Sequence, residues 1–277
     1  MKKVLAVSGG IDSVCLLHLY RNDPDVVVAH FDHGIRENSA DDCAFVARLA
    51  SEYGLKFVSK RLELGKDCSE ELARKSRYDF FESLLEKPED RIYTAHHSDD
   101  MLESAVINLV HGTGWRGIAP LRSEKLERPL LSWTKKDIYR YATENKLSFR
   151  LDQTNNEDKY LRNRIRKALS EQGEEKKEKL KEIILRQRQI ADEVDGLLSD
   201  LVKLDNRYSR AMFDDLDDFV ALEILRYLLS DFVSLTRPQL MRTLEAIRSF
   251  APGKRFSLTK AKFLRIERYY FSFETEA

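Results

Sequence analysis

Ser8-Gly9-Gly10-Ile11-Asp12-Ser13 is the stretch of sequence that decides the fold of this chain. It follows Val4-Leu5-Ala6-Val7, an apolar run typical of a buried strand, and precedes residues 14–20, which are apolar enough to pack as a helix on that strand. Glycines permit unusual backbone angles, and a helix N-terminus directs free N–H groups at an anion. The two serines add hydroxyl donors, so the stretch predicts a phosphate-binding loop.

The loop is not a Walker A motif, because no Gly-Lys-Ser/Thr follows the glycines. An ordinary strand-to-helix turn is the plain alternative. With serine at both ends and an acid inside, however, the stretch resembles the pyrophosphatase loop (PP-loop) of enzymes that split ATP between the α and β phosphates. The resemblance favours nucleotide binding, with Asp12 as a magnesium ligand and with the phosphates held by Ser8, Gly9, Gly10, Ile11, Asp12 and Ser13.

Length and composition indicate a globular chain with either one large domain or one medium-sized domain and a smaller one. The 277 residues are 42% hydrophobic and 34% charged, and Lys plus Arg balance Asp plus Glu at 47 each. No apolar run approaches the length of a membrane span and no signal-peptide pattern opens the chain, so we expect a cytoplasmic protein. The cysteines, Cys15, Cys43 and Cys68, form no CxxC pair and have no metal-ligand spacing.

Strand-like and helix-like segments alternate through the first half of the chain. Residues 26–31, 56–62 and 91–94 read as further strands, and residues 39–53 and 69–85 as helices. The fourth strand runs into Ala95–Ser104, and an apolar helix follows to about Val110. This alternation predicts an α/β fold with a doubly wound, mostly parallel sheet. Ligand sites in such sheets lie at the carboxyl ends of the strands, so the loop, residues 32–36 and residues 96–100 should meet at one edge.

Polar side chains follow two of these strands. Asp32, His33 and Arg36 stand where a nucleotide-binding fold contacts its ribose or base. His96, Asp100 and Glu103 are spaced to share one face of a helix. That set is compatible with a metal site, with an N-terminal helix cap or with acid–base catalysis. Its place at the nucleotide edge favours catalysis together with magnesium.

Basic residues predict further anion contacts. Arg74 and Arg77 are three residues apart and form either a solvated pair or a phosphate contact. Residues 160–167 carry four basic side chains in six positions, of which Arg162 and Arg166 share a helical face suited to a polyanion or to ATP phosphates. We expect phosphate or transition-state contacts from Arg77 and Arg166.

The second half of the chain predicts a connecting helix and a small C-terminal α+β domain. The expected boundaries are 1–172 for the catalytic domain, 173–203 for the long helix and 204–277 for the small domain. The last part is basic and bears aromatic residues, which indicates either nucleic-acid binding or a solvated face. The predicted tRNA contacts are Arg162, Arg164, Arg237, Arg242, Lys254 and Arg255.

Taken together, the motifs resemble those of the tRNA(Ile)-lysidine synthase family in order and spacing over nearly all of residues 1–170. They are Ser8–Ser13, His30–Arg36, Ala73–Tyr78, Ala95–Ser104, Arg128–Leu131, Asp152–Asn155 and Arg162–Arg166. The resemblance implies a PP-loop fold of the adenine nucleotide alpha hydrolase type. Ser104 departs from the threonine more usual in the family. Longer members carry a further C-terminal domain, before which this chain is expected to stop.

The family's reaction is what the resemblance implies for this chain. ATP adenylates the C2 oxygen of cytidine 34 in the CAU anticodon of tRNA(Ile), with release of pyrophosphate. L-lysine then displaces AMP and forms lysidine. The resemblance implies Mg²⁺ as cofactor. We expect no membrane partner, and a homodimer is compatible with the sequence. The implied catalytic residues are Asp12, His96, Asp100, Glu103, Asn155 and Arg166.

Two other functions are compatible with parts of the sequence. A PP-loop tRNA thiolase would need a persulfide-carrying or cluster-binding set of cysteines, and Cys15, Cys43 and Cys68 offer no CxxC pair. A non-catalytic nucleotide- or tRNA-binding protein would not need the acids at Asp12, Asp32, Asp100 and Glu103, all of which are present.

Overall fold

The computed structural model of the chain describes residues 1–34, 39–63, 70–118, 125–150, 160–202, 207–230 and 232–276. The chain divides into two compact units, Met1–Arg186 and Gln187–Ala277. The division falls within a helix over Glu174–Leu201, the segment for which the sequence predicts a connecting helix. Among the described residues, no helix combines the length and the apolar character needed to cross a membrane.

The first unit is built on a five-stranded parallel sheet, which confirms the predicted α/β fold. Its strands are β1 Lys3–Ala6, β2 Val26–Asp32, β3 Lys56–Arg61, β4 Arg91–Tyr93 and β5 Leu126–Glu127, in the spatial order β3-β2-β1-β4-β5. The chain winds from the central β1 to one side and then returns to the other side through β4. The sheet therefore reverses its winding between β1 and β4, and the crevice at such a point is the usual ligand site of an open α/β sheet.

Helices cover both faces of this sheet because neighbouring strand residues point to opposite sides. Leu5 packs with the buried side chains of one face, and Val4 packs with Phe80, Phe81 and Ile92 on the other. The helices of this unit are α1 Ile11–Leu19, α2 Ser39–Glu52, α3 Glu70–Glu82, α4 Ser98–Val110, α5 Lys135–Glu144, α6 Tyr160–Ser170 and the first part of α7 Glu174–Leu201. A single 3-10 turn spans Trp115–Ile118.

The second unit packs helices against a four-stranded antiparallel sheet in the order β6-β9-β8-β7. Phe213, Leu225, Ile247 and Phe271 are fully buried in its core. This mixture of helices and strands agrees with the predicted α+β character of the C-terminal part. Besides the end of α7, the elements are β6 Tyr208–Ser209, α8 Ala211–Asp214, α9 Asp218–Leu228, α10 Arg237–Ser249, β7 Arg255–Ser257, β8 Lys262–Ile266 and β9 Tyr270–Thr275.

Candidate active site

The glycine loop between β1 and α1 is organised around one hydroxyl group. Ser13 Oγ accepts hydrogen bonds from the N–H groups of Ser8 at 3.2 Å and Gly9 at 3.1 Å, and it donates to the carbonyl of Gly10 at 2.9 Å. Gly10 occupies the N-cap of α1 and makes no side-chain capping bond. The first turn of α1 therefore keeps its N–H groups directed at the loop, where they favour an anion.

The loop is also braced from outside. Gly9 has φ +93°, a conformation that favours glycine, and a Cβ there would meet the Phe45 ring at 3.4 Å. The carbonyl of Gly9 accepts from the N–H of Arg150 at 2.9 Å, and Arg150 Nε donates to Asp42 Oδ1 at 3.0 Å. These contacts tie the loop to α2 and to the segment after α5, so its geometry is set before any ligand arrives.

Asp12 lies in the first turn of α1 and receives two basic groups from other elements. Lys135 Nζ, at the start of α5, lies 2.6 Å from Asp12 Oδ1, and His97 Nε2 lies 3.8 Å from the same oxygen. The side chains of Asp12 and Lys135 are 32% and 39% exposed, so a ligand at the loop can reach both. An ammonium group therefore lies beside the first turn of α1, at the glycine loop.

His97 lies buried among carboxylates at the start of α4. Its Nε2 is 3.5 Å from Asp100 Oδ2, and its Nδ1 is 3.5 Å from Asp99 Oδ2. Burial lowers the pKa of His97, but the nearby carboxylates of Asp99, Asp100 and Asp12 outweigh it, and the net pKa is raised. The adjacent His97 ring, aided by a backbone hydrogen bond from Lys135, holds the pKa of Asp99 below its usual value.

Asp100 has the opposite shift. Burial, with the like charges of Glu103 and Asp12, raises the pKa of Asp100 above its usual value, against the lowering influence of His97. Its Oδ2 accepts the N–H of His97 at 3.0 Å and so closes the first turn of α4. A buried carboxylate with a raised pKa is suited to accept a proton from a bound substrate.

The position of His96 contradicts one prediction made from the sequence, that of a helical face shared with Asp100 and Glu103. The spacing predicts that His96, Asp100 and Glu103 share a helical face, whereas α4 begins only at Ser98. His96 instead lies in the turn after β4, where its Nδ1 is 2.9 Å from Thr94 Oγ1. The prediction is wrong because the chain is still extended at the N-cap, so helical spacing does not apply across it.

Four arginines surround His96. Burial, together with their positive charges, lowers the pKa of His96 to about 3. In decreasing order of influence they are Arg128, Arg74, Arg77 and Arg162. They come from the end of β5, from α3 and from α6, so three separate elements direct cations at this point of the sheet edge. Such convergence of positive charge favours an anionic ligand, and a neutral His96 adds no further repulsion among the cations.

Glu103 is an anchor for arginines rather than a free base. It is 4% exposed, and Arg166 holds it through Nε to Oε1 at 2.8 Å and a second nitrogen to Oε2 at 3.2 Å. Arg162 Nε lies 3.3 Å from Oε2. Arg162 and Arg166 do share a face of α6, as the spacing predicts, but that face meets Glu103. Arg164 is exposed on another side of α6.

The residues after β2 form a compact turn at the same sheet edge. Asp32 is buried, and its Oδ1 accepts the N–H of Gly34 at 2.8 Å. His33 packs edge-on against Phe31, with the ring centroids 4.8 Å apart. Asp32 and His33 therefore lie at the carboxyl end of β2, as predicted. Arg36 and Asn155, also predicted site residues, lie outside the described residues.

The predicted tRNA contacts of the second unit occupy two elements. Arg237 and Arg242 are on α10, and because five residues turn a helix by about 140°, they point in different directions. Lys254 precedes β7 and is exposed. Arg255, in β7, has its Nε 3.6 Å from Glu274 Oε2 and its guanidinium 4.2 Å from the centre of the Phe263 ring. No single basic face follows from these positions.

Sequence reasoning missed Lys135, His97 and Arg128 as site residues. Thr134 and Asp137 form a capping box that sets the start of α5. The place of Lys135 in the first turn of this helix could therefore have been predicted from the sequence. Arg128 directly follows β5, another carboxyl strand end. The signal for Arg128 was its place directly after a strand, because the carboxyl ends of all strands in a parallel sheet meet at one edge.

A comparison with known families assigns the class of this protein. The family model described as a PP-loop domain (ATP_bind_3) matches residues 1–172, more than half of the chain. The chain therefore belongs to the PP-loop family. Of solved structures, the U34-tRNA thiolase NcsA of Methanococcus maripaludis shares the fold, with a TM-score of 0.53 and 18% identity over 69% of this chain and 72% of that one.

Curated relatives are more similar in sequence. The bifunctional protein TilS/HprT of Listeria monocytogenes is 38% identical over 186 residues, which cover 61% of this chain and 29% of that protein. The tRNA(Ile)-lysidine synthase of Thermotoga maritima is 37% identical over 59% of this chain and 43% of its own length. The corresponding synthase of Thermosipho africanus is 31% identical over 80% and 56%. The chain thus spans about three tenths to somewhat over half of these relatives' lengths.

Proposed function

We propose that this protein is a tRNA(Ile)-lysidine synthase, which joins L-lysine to C2 of cytidine 34 in the CAU anticodon at the expense of ATP. One observation carries the proposal: a PP-loop meets a buried acid and a group of converging arginines at one edge of the sheet. Similarity to proteins named for this reaction supports the choice of substrate.

The first step is attack of the cytidine oxygen on the α phosphate of ATP. Such a step needs positioning and charge neutralisation more than covalent help from the protein. The first turn of α1 and Lys135 would hold the phosphates that leave as pyrophosphate. The arginines around His96 would neutralise charge that builds up in the transition state. Glu103 would act by positioning two of the arginines on α6.

Asp12 fits a magnesium ion as a single carboxylate ligand. Mg²⁺ usually takes one or two carboxylates together with substrate phosphates, and Asp12 is half-exposed at the loop. Within the described ranges, no three His, Cys, Asp or Glu side chains converge on one metal position. When bound, the ion would supply positive charge to the phosphates. Lys135 Nζ lies 2.6 Å from one oxygen of Asp12, so the ion and the lysine would have to share that carboxylate.

The second step needs lysine as a neutral amine, although the free ammonium has a pKa near 10.4. Asp100 is the base we propose, because its raised pKa strengthens its hold on a proton. Glu103 is bound by two arginines, and His96, with a pKa of about 3, is too weak a base at neutral pH. The different environments of these three residues support Asp100 as the base.

The environment of Cys15 argues against nucleophilic sulfur chemistry at this residue. It is fully buried, and burial together with the nearby charge of Asp12 raises the pKa of its thiol to about 11. A thiol in this state holds its proton at neutral pH and is a poor nucleophile. Lysidine formation needs no protein thiol, which is consistent with such an environment.

The proposed substrates require a tRNA-binding part as well as a catalytic one. We propose that the first unit carries the chemistry and the second unit contributes to holding tRNA. Within residues 237–277, nine basic side chains outnumber four acidic ones, which supports this role. A homodimer and a cytoplasmic location are compatible with the proposal.

The direct test is incubation with ATP, magnesium, labelled lysine and a CAU tRNA(Ile) transcript, followed by nucleoside analysis. ATP-dependent label at cytidine 34 is the expected result. A matched transcript with uridine at position 34 is the control and should stay unlabelled. If ATP binds but no label appears in the first transcript, the PP-loop assignment stands and lysidine formation is the wrong reaction.

A further inference from the structure

Two adjacent tyrosines lie at the tip of a hairpin in the second unit. Tyr269 is 63% exposed and Tyr270 is 44% exposed, although the next residue, Phe271, is fully buried in the core. The turn is firmly held, because the N–H of Glu267 donates to the carbonyl of Tyr270 at 2.8 Å and the N–H of Arg210 donates to that of Tyr269 at 2.9 Å. The hairpin therefore presents two rings to solvent on a fixed backbone.

Each ring has an arginine beside it. The guanidinium of Arg268 is 5.2 Å from the centre of the Tyr269 ring, and that of Arg207 is 4.9 Å from the centre of the Tyr270 ring. Single exposed tyrosines are ordinary on protein surfaces. Two neighbouring tyrosines with guanidinium groups at both rings are the combination that stacks nucleic-acid bases and attracts their phosphates.

A cavity of about 500 Å³ opens next to these rings, within the range of roughly 300–1,000 Å³ usual for small-molecule sites. Its lining includes Arg210, Arg248, Arg268, Asp214 and both tyrosines. Arg210 donates to four main-chain carbonyls, of Ile247, Arg248, Phe250 and Glu267, and has no carboxylate partner among the described residues. Within the part of the chain that the structure describes, its charge is therefore held in the cavity wall without an ion pair.

The local charge favours an anionic ligand. Of the four arginines around the rings and the cavity, Arg207 pairs with Glu267 and Arg248 pairs with Asp218, which leaves Arg210 and Arg268 against Asp214. We propose that Tyr269 and Tyr270 form a stacking platform for an unpaired RNA base, with the adjoining phosphate in the arginine-lined cavity. The proposal rests on the proposed function for one point alone, that the RNA is the substrate tRNA.

The test compares Tyr269→Leu with Tyr269→Phe in the full chain. Stacking contributes about 5- to 150-fold to affinity per base, so Tyr269→Leu should weaken binding of a fluorescent decauridylate by that range. Tyr269→Phe should bind like the wild type, because stacking needs the ring and not the hydroxyl. Since no charge is removed, the slope of log affinity against log salt should stay unchanged in both variants.

Controls separate stacking from other effects. Tyr139→Leu removes a tyrosine of the first unit that is 49% exposed and has a cation, Lys135, 5.6 Å from its ring centre, and this variant should keep wild-type affinity. An abasic oligonucleotide of equal length should bind wild type and Tyr269→Leu alike. Equal binding of decauridylate by wild type and Tyr269→Leu, or an equal loss in the Phe and Leu variants, would overturn the platform.

The platform and the proposed reaction can fail separately. If the wild type makes lysidine but Tyr269→Leu binds RNA normally, the platform is wrong and the reaction stands. If the wild type makes no lysidine but loses RNA affinity in Tyr269→Leu and not in Tyr269→Phe, the platform stands and the reaction is wrong.

Discussion

Acidification should destabilise the first unit through His96, and the size of the effect follows from the structure. The pKa of His96 is about 3 in the folded chain and near 6.5 in an unfolded one. Unfolding then takes up a proton below pH 6.5, so the stability present above that pH is lost as the pH falls. Each pKa unit corresponds to about 1.4 kcal/mol, which gives a loss of about 2 kcal/mol between pH 8 and pH 5.

The size of this loss is set by the pKa of the unfolded chain. Near pH 5 the folded histidine is still neutral, because its pKa is about 3. Other groups also titrate, and their contributions cancel when wild type is compared with His96→Gln at each pH. The stability difference between these two proteins should therefore change by about 2 kcal/mol over this interval, with the wild type losing more on acidification.

Urea unfolding followed by tryptophan fluorescence is the assay. The two tryptophans of the chain, Trp115 and Trp133, both lie in the first unit, so the signal reports the unit that contains His96. His111→Gln is the matched control, because His111 is exposed at the end of α4. If the difference between wild type and His96→Gln does not depend on pH, His96 titrates normally and the arginine cluster does not have the proposed effect.

Three further predictions concern the proposed chemistry. Lys135→Ala should weaken binding of ATP and pyrophosphate at least tenfold and leave AMP binding within threefold, because Lys135 would meet only the leaving phosphates; calorimetry measures this. Asp100→Asn should lower lysine transfer at least 100-fold while ATP–pyrophosphate exchange stays within tenfold, since the amide cannot take the proton. Glu103→Ala should destabilise the first unit by roughly 1.5–3 kcal/mol in urea unfolding, because two half-exposed arginines lose hydrogen bonds to their shared carboxylate.

Each of these has a control and a result that contradicts it. Lys136→Ala removes the neighbouring exposed lysine and should change no nucleotide affinity. An equal loss of AMP and ATP binding in Lys135→Ala would mean that the lysine only supports the loop. Unchanged lysine transfer in Asp100→Asn would remove Asp100 as the base. A stability change below 1 kcal/mol in Glu103→Ala would show that the arginines rely on other partners.

The sequence alone determined the fold of the first unit and the position of its loop, because both depend on local chemistry. A left-handed Gly9, a helix starting at Ile11 and the alternation of apolar strands with helices are all properties of neighbouring residues. Parallel strand order then requires the loop, Asp32 and the residues after β4 to meet at one edge.

Only the tertiary structure decided what each group at that edge can do. Lys135 lies 123 residues from Asp12, and Arg166 lies 63 residues from Glu103, so no spacing rule predicts either ion pair. Burial and the charges of distant elements then raise the pKa of Asp100 and lower that of His96. Electrostatic free energies depend on distance in space and on access of water, and a sequence specifies neither until the chain is packed.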